Sequence, residues 1–269
     1  MGATALDAVT TGDYNTALGY DALSANTTGT TNTAVGHGTL KHNVEAGANT
    51  AVGDLALRQL KTSTASTYNT AVGRASQRGP NNEAQFHTGE RNTSVGAGSM
   101  KVITTGNDNT AVGYWSQYGA SITGDYNTSI GSNSLKNLDS GDKNISVGHE
   151  AGDVITSGSN NVIIGSGSDP SASSASNQTV IGYNVTGQAD NSVVLGNADV
   201  TAIYMAQDKG ATVHAAGADL SGSTGLILEN DETITNSTDG TVLINGTVAG
   251  GSGSAAGVFT SNGDQDVTL

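Results

Sequence analysis

The chain has 269 residues with 38 glycines, two prolines and no cysteine, and only 13% of its residues are charged. So few prolines exclude a collagen-like rod, and the lack of cysteine excludes disulfides and thiolate metal sites. The formal net charge of −14 disfavours binding to nucleic acid or insertion at an anionic membrane surface. Abundant glycine, threonine, asparagine and serine are typical of many short strands joined by turns.

A five-residue pattern, Asn-Thr-(Ala/Ser)-(Val/Leu/Ile)-Gly, recurs from residue 12 to residue 196, with looser copies toward the end. Residues 1–11 precede it as a lead-in without the basic and apolar runs of a secretion signal. The spacing between copies is most often 17 residues, and it rises to 20 and 23 between residues 53 and 96. The copies close on Gly19, Gly36, Gly53, Gly73, Gly96, Gly113, Gly131, Gly148, Gly165, Gly182 and Gly196.

A 17-residue unit is too short for a pair of helices but suits two short strands joined by two tight turns. We therefore expect an all-β fold in which about eleven units form the coils of a parallel β-solenoid, or β-roll. Alternation along a strand puts Thr33 and Val35 on one face and Ala34 on the other. We expect the valine row to face a leucine from the second strand, and the alanine row to admit a neighbouring chain. Such a thin coil favours side-by-side association, most naturally as a homotrimer.

The repeated unit, beginning with Asn15–Gly19, resembles the head repeats of trimeric autotransporter adhesins, and more closely the 17-residue variant found in bacteriophage tail fibres. The resemblance covers about two thirds of the chain. It implies a left-handed β-roll trimer that resides in the virion and attaches to a host cell-surface glycan or another receptor. A bacterial surface adhesin head is the alternative. It is less favoured because the repeats come without the secretion signal, heptad stalk and membrane anchor of the adhesins.

Beyond residue 196 the 17-residue period fades. We expect a second β-rich module over residues 197–248, starting with strands at 201–205 and 211–215 around a turn. Residues 249–269 are interpreted as a glycine- and serine-rich linker and the start of a further strand. The pattern leaves the topology of this region open.

Two stretches are candidate recognition surfaces. The first is the long unit between Gly73 and Gly96, because long loops project from solenoids and often bind partners. Basic residues there suit anionic sugars or phosphates, although a solvated bulge is an alternative interpretation. Its candidate residues are Arg74, Arg78, Phe86, His87 and Arg91. The second stretch, in the next coil, offers rings that stack on sugars or pack against a neighbour. Its candidate residues are Tyr114, Trp115 and Tyr118.

The sequence contains no Gly-x-Ser-x-Gly, His-Glu-x-x-His or phosphate-loop motif, so we expect neither catalysis nor a cofactor. His37 and His149 share the position after a closing glycine, where three copies near a trimer axis would be needed to hold a metal. The mixed residue types at that position favour a variable surface instead, and no metal is expected. An ice-binding solenoid is less favoured because only one threonine row is present, and a polysaccharide-degrading tailspike is also less favoured.

Overall fold

Eleven strands of three residues each form one parallel sheet in which every strand pairs with its neighbours in sequence. The computed structural model describes residues 2–61, 67–80 and 85–203. One repeat supplies one strand, and the register follows the repeat, so that Ala34 lies opposite Ala51. The expected all-β parallel solenoid is therefore confirmed. The strands, β1 to β11, are Thr16–Leu18, Thr33–Val35, Thr50–Val52, Thr70–Val72, Thr93–Val95, Thr110–Val112, Thr128–Ile130, Ile145–Val147, Val162–Ile164, Thr179–Ile181 and Val193–Leu195.

In most described coils the segment after the closing glycine is a turn, and the expectation of a second strand there was wrong; in the coils closed by Gly165 and Gly182, Asp169 and Thr186 form only an isolated parallel bridge. The apolar residue four positions after the glycine has a left-handed backbone, with φ of 52° at Leu23, 50° at Leu40 and 48° at Leu135. A residue in this region cannot continue an extended strand, so the chain bends and turns the leucine inward. The three leucines are fully buried.

The two faces of the strands are opposite to those expected. Ala34 and Ala111, the middle residues of their strands, have no exposed surface, whereas Val52 and Val112 are 36% exposed. In the first seven coils the interior already holds a buried leucine, methionine or glutamine from the turn, so only a small side chain fits opposite it. The alanine side chains therefore pack in the interior of their own coil, and they cannot form the contact with a neighbouring chain that was expected. We call the outward side, formed by the first and third residues of β1–β11, the outer face.

Close stacking of successive coils requires glycine at two positions of the repeat. Gly73 has a φ of 127°, and a Cβ atom there would lie 2.6 Å from the carbonyl carbon of Gly96. A Cβ atom on Gly106 would lie 2.6 Å from the carbonyl oxygen of Gly124. Both distances are too short for any side chain, so the backbones of adjacent coils touch directly.

A ladder of buried asparagines joins the coils along one edge of the sheet. The side-chain oxygen of each rung accepts the backbone N–H of the equivalent residue in the next coil, at 2.9–3.1 Å over nine consecutive steps. In all but one of the nine asparagine rungs the side-chain N–H also donates to a carbonyl of the next coil, at 2.7–2.9 Å. The exception is Asn49, which donates to Gly47 in its own coil. The rungs are Asn15, Asn32, Asn49, Asn69, Asn92, Asn109, Asn127, Asn144 and Asn161, and Gln178 provides the last N–H.

Residues 2–11, within the lead-in at 1–11, repeat the turn of the next coil in register. Leu6 has a φ of 56°, close to that of Leu23, and its N–H donates to Ala22. Thr10 donates to Thr27 in the same way. At the other end, residues 197–203 contain no strand. The rest of the expected β-rich module and the linker at 249–269 lie outside the described residues.

Replacing Asn127 with alanine should lower the free energy of unfolding by about 3 kcal/mol, because buried ladder groups lose their partners. Asn127 accepts from the backbone and side chain of Asn144 and donates to the Gly141 carbonyl. The control is Asn137→Ala, at an exposed side chain with one bond to the Asp153 carbonyl. Denaturant unfolding should show a change within about 0.5 kcal/mol for the control. Equal losses in the two variants would contradict the ladder's role.

Replacing Tyr126 with asparagine should raise the free energy of unfolding by about 0.5–1 kcal/mol, because asparagine tolerates the left-handed region better than tyrosine. Tyr126 is exposed and has a φ of 60°. Tyr183 is also an exposed tyrosine, but it lies outside the left-handed region, so Tyr183→Asn serves as the control. Thermal unfolding should show a gain for the first variant alone. A loss in Tyr126→Asn would show that the ring itself stabilises the turn.

Candidate recognition surface

The end of the long unit between Gly73 and Gly96 returns to the solenoid. His87 forms a parallel bridge with Leu60, in which the His87 N–H donates to Gln59 and the Lys61 N–H donates to His87. Residues 81–84 of this unit are outside the described ranges. The residues on their C-terminal side are therefore held in register with the third coil.

Phe86 packs against the surface of preceding coils. Its ring meets the ring of His42 edge-on at a centroid distance of 6.1 Å, and the ammonium of Lys61 lies 4.4 Å from its centre. The Phe86 side chain is half-buried. Phe86 thus anchors the long unit to the solenoid, and the Lys61 ammonium lies over its ring.

His87 is fully buried and cannot contact a surface ligand, which corrects its place among the candidates. Burial lowers its pKa to about 3, so the ring is neutral. Its Nδ1 accepts the N–H of Gly89 at 3.0 Å, which fixes the turn that leads into β5. A histidine in a basic stretch looks like a surface group in sequence, and only the bridge to Leu60 reveals its burial.

Arg91 is exposed but its charge is compensated. Its guanidinium donates two hydrogen bonds to the carboxylate of Asp108, at 2.7 and 2.8 Å, and one to Glu90 at 2.9 Å. The bond from Arg91 lowers the pKa of Asp108, and the pKa of Arg91 is raised in turn. Arg91 immediately precedes a ladder asparagine, and its pair with Asp108 joins two adjacent coils.

The three aromatic candidates lie together. The rings of Tyr114 and Trp115 stack at a centroid distance of 4.7 Å and an angle of 19°, and Tyr118 lies 5.2 Å from Trp115. Tyr114 is exposed, while Trp115 and Tyr118 are half-buried. We call these three residues the aromatic cluster.

Trp115 rests on the backbone of the preceding coil. A Cβ atom on Gly98 would lie 2.6 Å from Cδ1 of the indole, so only glycine leaves room for the ring. A depression of about 150 Å³ adjoins this seat, and Arg74 contributes to its wall. Arg74 is mostly exposed, with Nε 3.4 Å from a carboxylate oxygen of Asp54. Arg74, from the first candidate stretch, thus meets the aromatic cluster from the second.

Five cations and one tyrosine occupy the same position in six consecutive coils, five residues after the closing glycine. Backbone bonds set this register: Gln59 donates to the Arg78 carbonyl and Gly79 to the Lys101 carbonyl, both at 3.0 Å. Successive coils are about 4.8 Å apart. We call this row the basic column. It contains half of the ten basic residues of the chain. The residues are Lys41, Arg58, Arg78, Lys101, Tyr118 and Lys136.

The basic column and the aromatic cluster form one surface. Lys101 donates to the Tyr118 hydroxyl at 3.2 Å and lies 5.3 Å from the centre of its ring. The Lys136 ammonium lies 5.6 Å from the centre of the Trp115 ring. At the other end, Lys41 pairs with Asp21 at 2.8 Å. Sequence reasoning selected Arg78 and Tyr118 but missed the column. The fixed offset from the closing glycine was the signal that could have revealed it.

The described residues hold no group of three or more histidines, aspartates or glutamates placed to bind a metal ion. His37 pairs with Asp54 at 2.7 Å, and His149 lies 3.6 Å from Glu150; both histidines are on the surface. Within the same ranges, no helix is long and apolar enough to cross a membrane. In comparisons with known proteins, no family model, curated protein or solved structure matches the chain. The fold alone thus defines it as a β-solenoid repeat protein.

Replacing His87 with asparagine should remove a loss of stability in acid. Because the folded pKa of about 3 is below the ordinary 6.5, the unfolded chain binds a proton that the folded chain does not. Stability attributable to His87 is therefore present above pH 6.5 and falls by about 1.4 kcal/mol per unit as the pH drops toward 3. Asparagine keeps an acceptor for the Gly89 N–H. Unfolding at pH 7 and pH 5 should show a smaller acid loss in the variant than in the unmodified chain.

The comparison between chains is needed because burial raises the pKa of Asp169 to about 6, which contributes stability in the opposite direction. The contribution of Asp169 is the same in the unmodified chain and in His87→Asn, so it cancels in the difference between their acid losses. His149→Asn, at an exposed histidine, should keep the acid loss of the unmodified chain. An undiminished acid loss in His87→Asn would contradict the buried, neutral state of His87.

Proposed function

We propose that the chain is a structural fibre protein that attaches to a host cell surface as a homotrimer, as a bacteriophage tail fibre does. The single observation that carries this proposal is the outer face, where the third residue of every strand is aliphatic and is exposed in nine of the eleven strands. The function follows from two properties of such a rod: it needs a partner to cover the strip, and it then holds several copies of the recognition surface in one rigid assembly.

The third residues of the strands form an unbroken aliphatic row, and several of them, such as Val95 and Ile130, are about two-fifths exposed. The first residues are threonine in β1–β7 and become Ile145 and Val162 in β8 and β9. Continuous exposed apolar strips are rare on monomers and are typical of association surfaces. A second copy of the chain offers the same length and the same spacing of coils, and cyclic closure gives a fibre a finite cross-section.

Attachment by such a fibre rests on avidity. Three parallel copies of a weak site bind a surface far more tightly than one copy, because each later contact is made at a high effective concentration. Within each chain, the asparagine ladder fixes the position of the recognition surface along the rod. A bacterial surface adhesin head would use the same geometry, and finding the chain in purified virions or on the bacterial surface separates the two.

Replacing Val112 with aspartate should dissociate the trimer without unfolding the coil, because the valine is on the outer face and its strand neighbour Ala111 fills the core. Light scattering should give three chain masses for the unmodified protein and one for the variant, with unchanged circular dichroism. Tyr183→Asp, at an exposed position that follows a closing glycine, should stay trimeric. Binding to host cells should fall at least about a hundredfold in Val112→Asp, through lost avidity. An unmodified chain that stays monomeric at micromolar concentration would contradict the proposal.

Ice binding is a second candidate because the threonine row of β1–β7 points outward on a regular sheet. The row is interrupted by Ile145 and Val162, which favours an apolar partner over ordered water. Thermal hysteresis of the purified chain tests this candidate. Its absence together with trimer formation would exclude it.

A further inference from the structure

We propose that the basic column and the aromatic cluster together bind a linear acidic polysaccharide laid along the axis of the rod. The inference rests on the proposed attachment function and names the ligand class of its recognition surface. The ligand carries carboxylate or sulfate groups at intervals, and its sugar rings stack on Trp115 and Tyr118.

The column favours a linear ligand because its charges lie on a line. From Lys41 to Lys136 it crosses five coil-to-coil steps, or about 24 Å at the ordinary strand spacing. A sugar unit in an extended polysaccharide is of similar length to one coil step. A chain of sugars laid along the rod therefore meets cations repeatedly without bending, whereas a compact ligand meets only one or two of them.

The aromatic cluster favours a sugar over a simple polyanion. The Trp115 ring is only half-buried, and its centroid lies 4.7 Å from that of Tyr114 and 5.2 Å from that of Tyr118. The C–H faces of sugar rings pack on such surfaces. Lys101 and Lys136 lie within 6 Å of the rings, and Arg74 adjoins the depression beside Trp115. A stacked sugar thus brings its acidic group close to a cation.

Charge density argues against nucleic acid on the same surface. Duplex DNA carries about one charge per 1.7 Å of axis, whereas the column offers one position per about 4.8 Å. Acidic side chains also lie at both ends of the column: Asp21 pairs with Lys41, and the equivalent position after Lys136 is Asp153. Such a mixed field repels a dense row of phosphates and tolerates a polyanion with sparse charges.

Fluorescence of Trp115 gives a direct readout, because it is the only tryptophan of the chain. The unmodified protein is titrated with polygalacturonate, chondroitin sulfate, neutral dextran and a single-stranded oligonucleotide. We expect a saturable change in emission with at least one acidic polysaccharide, weaker binding at higher salt, and no change with dextran. Affinity should rise with polysaccharide length up to the span of the column. Preference for dextran or the oligonucleotide would overturn the proposal.

Two matched double variants distinguish an effect of the basic column on binding from an effect of the net charge of the chain. Lys101→Gln with Lys136→Gln should weaken binding by at least about tenfold, because two charge-assisted contacts are lost. Arg91→Gln with Lys143→Gln removes the same charge from residues outside the column and should change affinity less than about twofold. Circular dichroism confirms that both pairs are folded. Equal losses in the two pairs, or no binding of either acidic polysaccharide by the unmodified chain, would overturn the proposal.

Two further measurements distinguish failure of this inference from failure of the proposed function. If the chain is trimeric and binds host cells but binds neither acidic polysaccharide, the ligand class is wrong and the attachment function stands. If it is monomeric and does not bind cells, the attachment function fails independently. Unchanged polysaccharide length after incubation supports binding alone, whereas shortening would contradict it in favour of a degrading tailspike.

Discussion

The asparagine ladder is the interaction on which the rest of the solenoid depends. A buried asparagine at one position of each coil supplies an acceptor for the next coil's N–H and, in all but one rung, a donor for one of its carbonyls, so successive coils are locked at one height and one register. Glutamine is one methylene longer. At Gln178 the side-chain oxygen accepts from Ser171 instead of from the next coil, and the ladder ends there. The last coil, closed by Gly196, is also the shortest, at 14 residues.

Because successive coils are held in one register, equivalent positions of the repeat form straight rows along the rod. The inner rows carry alanine, serine and leucine, and they are constrained by volume. The outer rows are free to vary, because a change there does not disturb the ladder or the glycine contacts. One outer row forms the aliphatic strip proposed to join three chains. Another forms the basic column, next to the seat that Gly98 provides for Trp115. Scaffold and recognition thus use separate positions of the same repeat.

The repeat made the parallel solenoid, its coil length and its strands predictable from sequence, since the pattern of Asn15–Gly19 recurs at a nearly fixed spacing. Which face of the strands is buried could not be predicted from the alternation of side chains along a strand, because the alternation is the same whichever face is buried. The choice depends on Leu23 and Leu40, whose left-handed backbone turns them into the coil and leaves room only for alanine opposite. Of the site, the aromatic cluster was visible as a short motif. The basic column was hidden because units of 20 and 23 residues separate its members unevenly in sequence, and the burial of His87 depends on a bridge to a distant residue.

Hydrogen exchange at the ladder's own backbone amides tests the central claim most directly. The N–H groups of Asn32, Asn92 and Asn144 donate to side-chain oxygens of the preceding coil, and these amides flank the strands without belonging to them. If the ladder holds the coils together, these amides exchange as slowly as the strand amides of Thr110 and Thr128. Exchange of the asparagine amides at the rate of exposed turns, while the strand amides stay protected, would contradict it.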